Sequence, residues 1–169
     1  MAPVRGVSLN LGSEAETAAA AKLMDERLRR EATKDATLEF MVQRMAAPGI
    51  ELILGGMQDH LFGPVVMLGI GGVYAEIFKD VTFRLAPLTR LEAEDMLEEL
   101  RGAALLQGVR GGAAADREAL LRAIVDFSRL VAEHPELSEV EINPLVISPS
   151  GACAVDARAV AAVKEPQAG

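Results

Sequence analysis

The chain is poor in aromatic residues and in sulfur nucleophiles. It has no tryptophan, one tyrosine, five phenylalanines and one cysteine among 169 residues. The core must therefore rest on Leu, Val, Ile, Ala and Met. The lone Cys153 excludes an intramolecular disulfide and any all-cysteine metal site. A chain without disulfides suits a reducing compartment, so a cytoplasmic location is expected. Basic residues are also few: 17 Lys and Arg stand against 25 Asp and Glu, a formal net charge of −8. That balance argues against nucleic acid and anionic membranes as partners, because both need a basic face. Arg27, Arg29 and Arg30 are interleaved with Asp25, Glu26 and Glu31 and read as the cationic end of a helix. No hydrophobic run is long enough for a membrane helix. The longest uncharged stretch, Leu61 to Ala75, is broken by glycines and Pro64 and falls short of ~18 apolar residues. The first residues carry no long apolar segment, so no signal peptide is expected. The two histidines, His60 and His134, lie far apart and suggest no metal pair.

What is present is enough for a folded domain. Half the residues are apolar and a quarter charged, which excludes wholesale disorder. The length fits one domain that buries about 70 % of its unfolded surface. Gly6 to Leu11 alternates like a short strand. Ser13 and Glu16 form a capping box before a helix from about Glu14 to Arg30. Strands are expected at Leu38–Met45, Ile50–Met57, Pro64–Gly69, Val73–Phe78 and Val81–Leu85. Thr89 and Glu92 make a second capping box, opening a helix to about Arg101. After the glycine-rich loop Gly108–Gly112, Asp116 caps a third helix with the stripe Leu120, Ile124, Phe127 and Val131. Val140–Ile147 and Ala152–Val160 close the series. Strands in succession with helices between them predict a mostly antiparallel α+β fold or a mixed α/β sheet, packed by about three helices, rather than a regular βαβ winding. The six methionines after the first residue, Met24, Met41, Met45, Met57, Met67 and Met96, are expected in the core.

The last strand pair holds the most chemistry. A turn centred between Pro149 and Ser150 opposes residues whose numbers sum to 299. Asn143 then faces Asp156 and Glu141 faces Arg158, all on one side of the sheet. The other side takes Val140, Ile142, Val155 and Ala157 as core, and parity puts Cys153 among the core residues too. The polar side is either a solvated face with a Glu–Arg pair or a Mg²⁺ site. Mg²⁺ takes one or two protein oxygens and completes its octahedron with phosphate and water. Gly69-Ile70-Gly71-Gly72 is either a permissive turn or a loop that lets backbone amides approach a phosphate. No Gly-Lys-Ser/Thr follows it, so it is not a Walker loop. Glu51 heads a strongly apolar strand, where it is either an edge charge or a contact for a ribose or a metal.

Several segments recur here in a specific order: Gly6-Val7-Ser8-Leu9, Val42-Gln43-Arg44-Met45, Gly49-Ile50-Glu51-Leu52-Ile53-Leu54-Gly55, Asp59-His60-Leu61-Phe62-Gly63-Pro64, Gly69-Ile70-Gly71-Gly72, Leu85-Ala86-Pro87-Leu88, Gly108-Val109-Arg110-Gly111, Glu141-Ile142-Asn143-Pro144-Leu145 and Val155-Asp156-Ala157-Arg158. Together they resemble the ATP-grasp domain of the NDP-forming acyl-CoA synthetases, of the ADP-forming acetate–CoA ligase β-chain type. The family is related to the succinyl-CoA synthetase β chain. The resemblance implies the C-terminal lobe of an ATP-grasp over residues 1–163, with a flexible tail at 164–169. It implies Mg²⁺ and ATP or ADP as cofactors. Met41, Val42 and Gln43 match the segment lining the adenine, and Glu51 the acid near the ribose and phosphates. Gly71 and Gly72 match the loop facing the transferred phosphate. Asn143 and Asp156 match the Mg²⁺ ligands, and Arg158 the catalytic phosphate-contacting base. The family interconverts acyl-CoA and phosphate through acyl phosphate and phosphohistidine while phosphorylating ADP, or the reverse.

The family's nucleotide-binding lysines and a His-Lys segment lie upstream of its first strand, where this sequence has Pro3-Val4-Arg5. The lysine-bearing N-terminal lobe and the CoA-binding domains are therefore expected as partners on other domains or another chain. The isolated polypeptide is then expected to show weak or no phosphoryl transfer. Its exposed lobe interface is expected to attract a partner or to self-associate. His60 stands where the family often has proline, so it is not the relay histidine. The competing reading is a non-catalytic module that keeps the fold for nucleotide binding or subunit docking.

Overall fold

A computed structural model describes residues 6–31, 38–72, 80–108 and 113–162. Its contacts divide the chain into two compact units, 1–45 and 46–169. The first unit holds helix α1 (Glu14–Glu31). Its entry differs slightly from a full capping box. The Ser13 hydroxyl accepts from the Glu16 amide, but the Glu16 carboxylate reaches back to the Gly12 amide rather than to Ser13. The strands expected at Gly6–Leu11 and Leu38–Met45 do not form among the described residues. A strand exists through its ladder partner, and neither segment is paired in this unit. Val7, Leu9, Met41 and Val42 are correspondingly exposed.

The second unit carries the sheet. Strands β1 (Ile50–Asp59) and β2 (Gly63–Ile70) form the expected hairpin, and β3 (Val81–Leu85) adds to β2. The strand expected at Val73–Phe78 lies outside the described residues, as do most of the Gly108–Gly112 loop and the tail from Lys164. Helix α2 (Arg90–Glu99) starts at a complete Thr89–Glu92 capping box. A 3-10 turn, Arg101–Gln107, follows it. Helix α3 (Arg117–Glu133) is capped by Asp116, whose carboxylate accepts from the Ala119 amide. Strands β4 (Leu137–Ser148), β5 (Gly151–Ala154) and β6 (Ala157–Ala161) complete an antiparallel sheet of order β3-β2-β1-β4-β5, with β6 beside β4.

Alternation decides which face is covered. Leu52 and Leu54 of β1 and Val66 and Leu68 of β2 lie fully buried on one face. They meet Met96 of α2 and Leu120, Ile124 and Val131 of α3. The predicted stripe on α3 is buried throughout. The odd-numbered positions Glu51, Met57, Val81, Phe83 and Leu85 stay exposed on the opposite face. This corrects the placement of the methionines. Met96 is fully buried, whereas Met41, Met45 and Met57 are exposed. Met57 falls on the face opposite the one that α2 and α3 cover, and Met41 and Met45 lie in the unpaired segment of the first unit. Among the described residues no helix is long and apolar enough to cross a membrane.

Candidate functional site

The register of the last hairpin follows the turn. Ser148 pairs with Gly151, Leu145 with Ala154, Ile142 with Ala157 and Glu141 with Arg158, each pair summing to 299 as expected. Between these runs Asn143 donates its amide to the Asp156 carbonyl at 3.0 Å, and Val155 donates to the Pro144 carbonyl at 3.0 Å. The hairpin therefore sets Asn143 and Asp156 side by side.

On its other edge β4 is irregular. Leu52 of β1 pairs with Leu145, but Leu54 pairs with Ile142, so the register slips by one residue around Asn143-Pro144. Proline has no amide for the ladder, so a bulge is one of the few places a strand tolerates it. A bulge also re-aims side chains. Here it moves the covered face from the even positions Val140 and Ile142 to the odd positions Leu145 and Ile147, while Asn143 remains exposed.

The polar side chains pair differently from the simplest expectation. Arg158 lies opposite Glu141 along the ladder, yet its guanidinium bonds the diagonal neighbour Glu139 at 3.0 Å. The Glu141 carboxylate instead accepts from Asn143 Nδ2 at 3.0 Å. The amide nitrogen of Asn143 is thus engaged, which leaves Oδ1 as the end that can meet a cation. An amide oxygen on β4 and a carboxylate in the break between β5 and β6 offer two hard-oxygen donors, the chemistry that suits Mg²⁺. Among the described residues no group of three or more His, Cys, Asp or Glu side chains could hold a metal unaided. Any ion here would need water or ligand oxygens as well, as Mg²⁺ usually does. The Arg158–Glu139 pair is exposed on both sides, and such pairs contribute about 0–1 kcal/mol. Arg158 can leave Glu139 at little cost.

Glu51, Gly71 and Gly72 also come together. Gly71 donates its amide to the Glu51 carbonyl at 2.8 Å. A Cβ at Gly72 would stand 3.2 Å from Glu51 Oε2, and Gly72 has φ +72°, which favours glycine. Glu51 pairs with Val146 on β4, three positions from Asn143, or about 10 Å along a strand. Next to Glu141 and Arg158 the sheet face opens into a hollow of about 340 Å³, walled by Met57, Met67 and Phe83. Met41, Val42 and Gln43 belong to the first unit. Gln43 Nε2 donates to Met41 Sδ at 2.9 Å, and Met41 and Val42 are exposed.

Three core expectations for the hairpin fail. Cys153, Val155 and Ala157 are exposed, although Val140 and Ile142 pack against the core. Parity assigns a side of the strand, but β5 and β6 form the rim of the sheet and are little covered. One residue escaped notice in the sequence because it reads only as a junction. Asp80 accepts from the amides of Arg101 and Gly102 at 2.9 and 2.8 Å.

The family described as ATP-grasp domain matches residues 2–160. The β subunit of ADP-forming acetate–CoA ligase I from Pyrococcus furiosus is 37 % identical over 155 residues, covering 92 % of this chain and 67 % of that subunit. The ADP-forming acetate–CoA ligase I of Archaeoglobus fulgidus is 44 % identical over 120 residues, 71 % of this chain but 18 % of that protein. The chain thus spans about two thirds of the one relative and under a fifth of the other. Among solved structures, the dinucleotide-forming acetyl-coenzyme A synthetase 1 of Ca. Korarchaeum cryptofilum superposes with a TM-score of 0.82 at 40 % identity. The match covers 94 % of this chain and 69 % of that one, and the structure is a complex with coenzyme A and Mg-AMPPCP.

Proposed function

The chain belongs to the ATP-grasp domain family, and from that premise we propose that it is the nucleotide- and Mg²⁺-binding part of an ADP-forming acyl-CoA synthetase. The observation that carries this reading is the hairpin register. It sets Asn143 beside Asp156 and leaves Arg158 paired with the exposed Glu139. In the proposed roles, Asn143 Oδ1 and the Asp156 carboxylate hold the cation. Mg²⁺ supplies charge neutralisation of phosphoryl oxygens when bound. Arg158 exchanges Glu139 for a phosphoryl oxygen, a stronger charge-assisted contact than a solvated ion pair. Gly71 and Gly72 allow the phosphate chain close to the backbone, and Glu51 meets the ribose. Met41, Val42 and Gln43 are proposed for the adenine. The complex of the Korarchaeum relative with Mg-AMPPCP supports nucleotide and cation as ligands.

The reaction proposed for the whole enzyme is phosphoryl transfer between ATP or ADP and a phosphohistidine, coupled to acyl-CoA formation. The lysine-bearing lobe and the CoA-binding domains are proposed as partners on other segments or chains. This accords with the 18 % of the Archaeoglobus ligase that the chain spans.

Titration calorimetry tests the reading. Wild type is expected to bind Mg·ADP and Mg·ATP, and Asp156→Ala to bind at least tenfold more weakly. Absence of binding by wild type at millimolar nucleotide would overturn the proposal and favour a docking module.

A further inference from the structure

Asp80 stands at the head of β3 and joins two other pieces of the second unit, the end of β2 and the start of the 3-10 turn. Its carbonyl accepts the Ile70 amide at 3.1 Å, at the last residue of β2. Its two carboxylate oxygens accept the amides of Arg101 and Gly102 at 2.9 and 2.8 Å, the first residues of the 3-10 turn. Gly102 in turn lies against Ile70. A Cβ there would stand 2.8 Å from Ile70 Cγ1 and 3.2 Å from Asp80 Oδ2. Directly after Ile70 come Gly71, whose amide bonds the Glu51 carbonyl, and Gly72, whose Cα faces the Glu51 carboxylate.

We propose that Asp80 is the positioning residue of the Gly71–Gly72 turn, holding it in register with Glu51 for a nucleotide phosphate. The proposal rests on the nucleotide reading of that turn given above. The physical need is specific. Glycines have the widest backbone freedom, so a turn of two glycines has no side chains of its own to define it. Among the described residues it is held through the backbone amides of Ile70 and Gly71, where it leaves β2. On one side the grip is Glu51 through its carbonyl. On the other it is residue 80, and residue 80 is held in place by the two amides that its carboxylate clamps. Only a carboxylate offers two equivalent acceptors in one plane to two successive amides. Asparagine keeps one acceptor and turns an N–H₂ towards a donor, and alanine keeps neither. A turn held in advance binds phosphate without first being ordered.

Asp80→Asn and Asp80→Ala in the full chain test this through local protection and ligand discrimination. Amide hydrogen exchange is expected to quicken at Ile70 and Gly71 by tenfold or more in D80A and by an intermediate factor in D80N. The amides of Leu54, Ile124 and Val131 should keep their protection. The dissociation constant for Mg·ADP should rise about tenfold in D80A, while that for adenosine stays within twofold. The proposal is overturned if Ile70 and Gly71 exchange as in wild type. Proportional loosening of the core amides also overturns it, since that marks an ordinary stability defect. D80N answers the question if D80A fails to fold. Tight Mg·ADP binding that both variants leave unchanged would sink the positioning role and spare the nucleotide reading. Local exchange that responds in a chain whose wild type binds no Mg·ADP would sink the nucleotide reading and leave Asp80 as the anchor of the turn.

Discussion

Ser128 shows how a single polar atom can be decisive inside the core. It sits in α3 with no exposed surface. Its hydroxyl accepts the Leu88 amide at 2.9 Å and donates to the Val125 carbonyl at 2.7 Å. Leu88 lies in the connection from β3 to α2 and is itself buried, so its amide has no water to turn to. Ser128→Ala should therefore cost about 1–3 kcal/mol, the range for orphaning a buried donor, read as a lower urea midpoint with unchanged slope. Glu92 makes the opposite kind of contribution, exposed and pH-dependent. The amide of Thr89, and then its hydroxyl, hold the Glu92 carboxyl below its ordinary value of 4.5. The folded state thus binds protons less readily than the unfolded one. Its contribution is fully present above the ordinary value and is lost as pH falls through the lower, folded value. Glu92→Gln keeps the reach of the capping box without the charge. The melting temperature of wild type should exceed that of the variant at pH 7, and the gap should narrow as pH falls below 4.5 and close once it has passed the lower, folded value. A gap that persists unchanged in acid would show that the charge is not what Glu92 contributes.

At the scale of elements, β1 and α3 approach as closely as they do because residue 56 has no side chain. A Cβ at Gly56 would overlap Val131 Cγ2 and stand 3.3 Å from Phe127 Cε1. Gly56→Ala should lower stability by about 1–3 kcal/mol, the usual range for overpacking, measured by denaturant unfolding. An unchanged midpoint would mean that α3 slides outward freely. The elements show where sequence reasoning reaches and where it stops. Thr89 with Glu92, and Asp116, mark helix starts because caps act over three residues, and both sit where the sequence placed them. The 299 register was within reach because Pro149-Ser150 interrupts two apolar runs and offers a centre for the turn, although a shift of one residue would have opposed different side chains. The slip opposite Leu52 and Leu54 was not legible, because it belongs to the pairing of β4 with β1, more than 80 residues away in sequence. Exposure of Cys153, Val155 and Ala157 was missed for a related reason. Alternation tells which side of a strand a residue takes, and only the packing of distant helices decides whether that side is covered. The unpaired segments at 6–11 and 38–45 read as strands because their alternation is real, but alternation does not supply a partner.

For the whole molecule, the balance between the covered and the open face of the sheet governs what the chain can do alone. Every residue of the buried core cluster lies between Leu52 and Ile147, so the second unit has the core of a folded domain. The residues proposed for phosphate chemistry lie on its other side. Glu51, Asn143, Asp156 and Arg158 are all exposed. Binding a Mg·nucleotide there needs only a few convergent oxygens and one cation. Transferring its phosphoryl group needs more, because transfer depends on a fixed in-line acceptor and on charge stabilisation in a site from which water is excluded. In water the Arg158–phosphate contact is screened and the cation keeps its own shell, so the developing charge gains little over solution. The expected outcome is a separation of the two properties. The purified chain should bind Mg·ADP in calorimetry yet consume no ATP above background when acid and coenzyme A are added. Turnover should appear only when the chain is combined with the lysine-bearing and CoA-binding segments proposed as its partners. ATP consumption by the chain alone, abolished by Asp156→Ala, would refute this and would mean that these exposed residues, with no further cover, are sufficient for transfer.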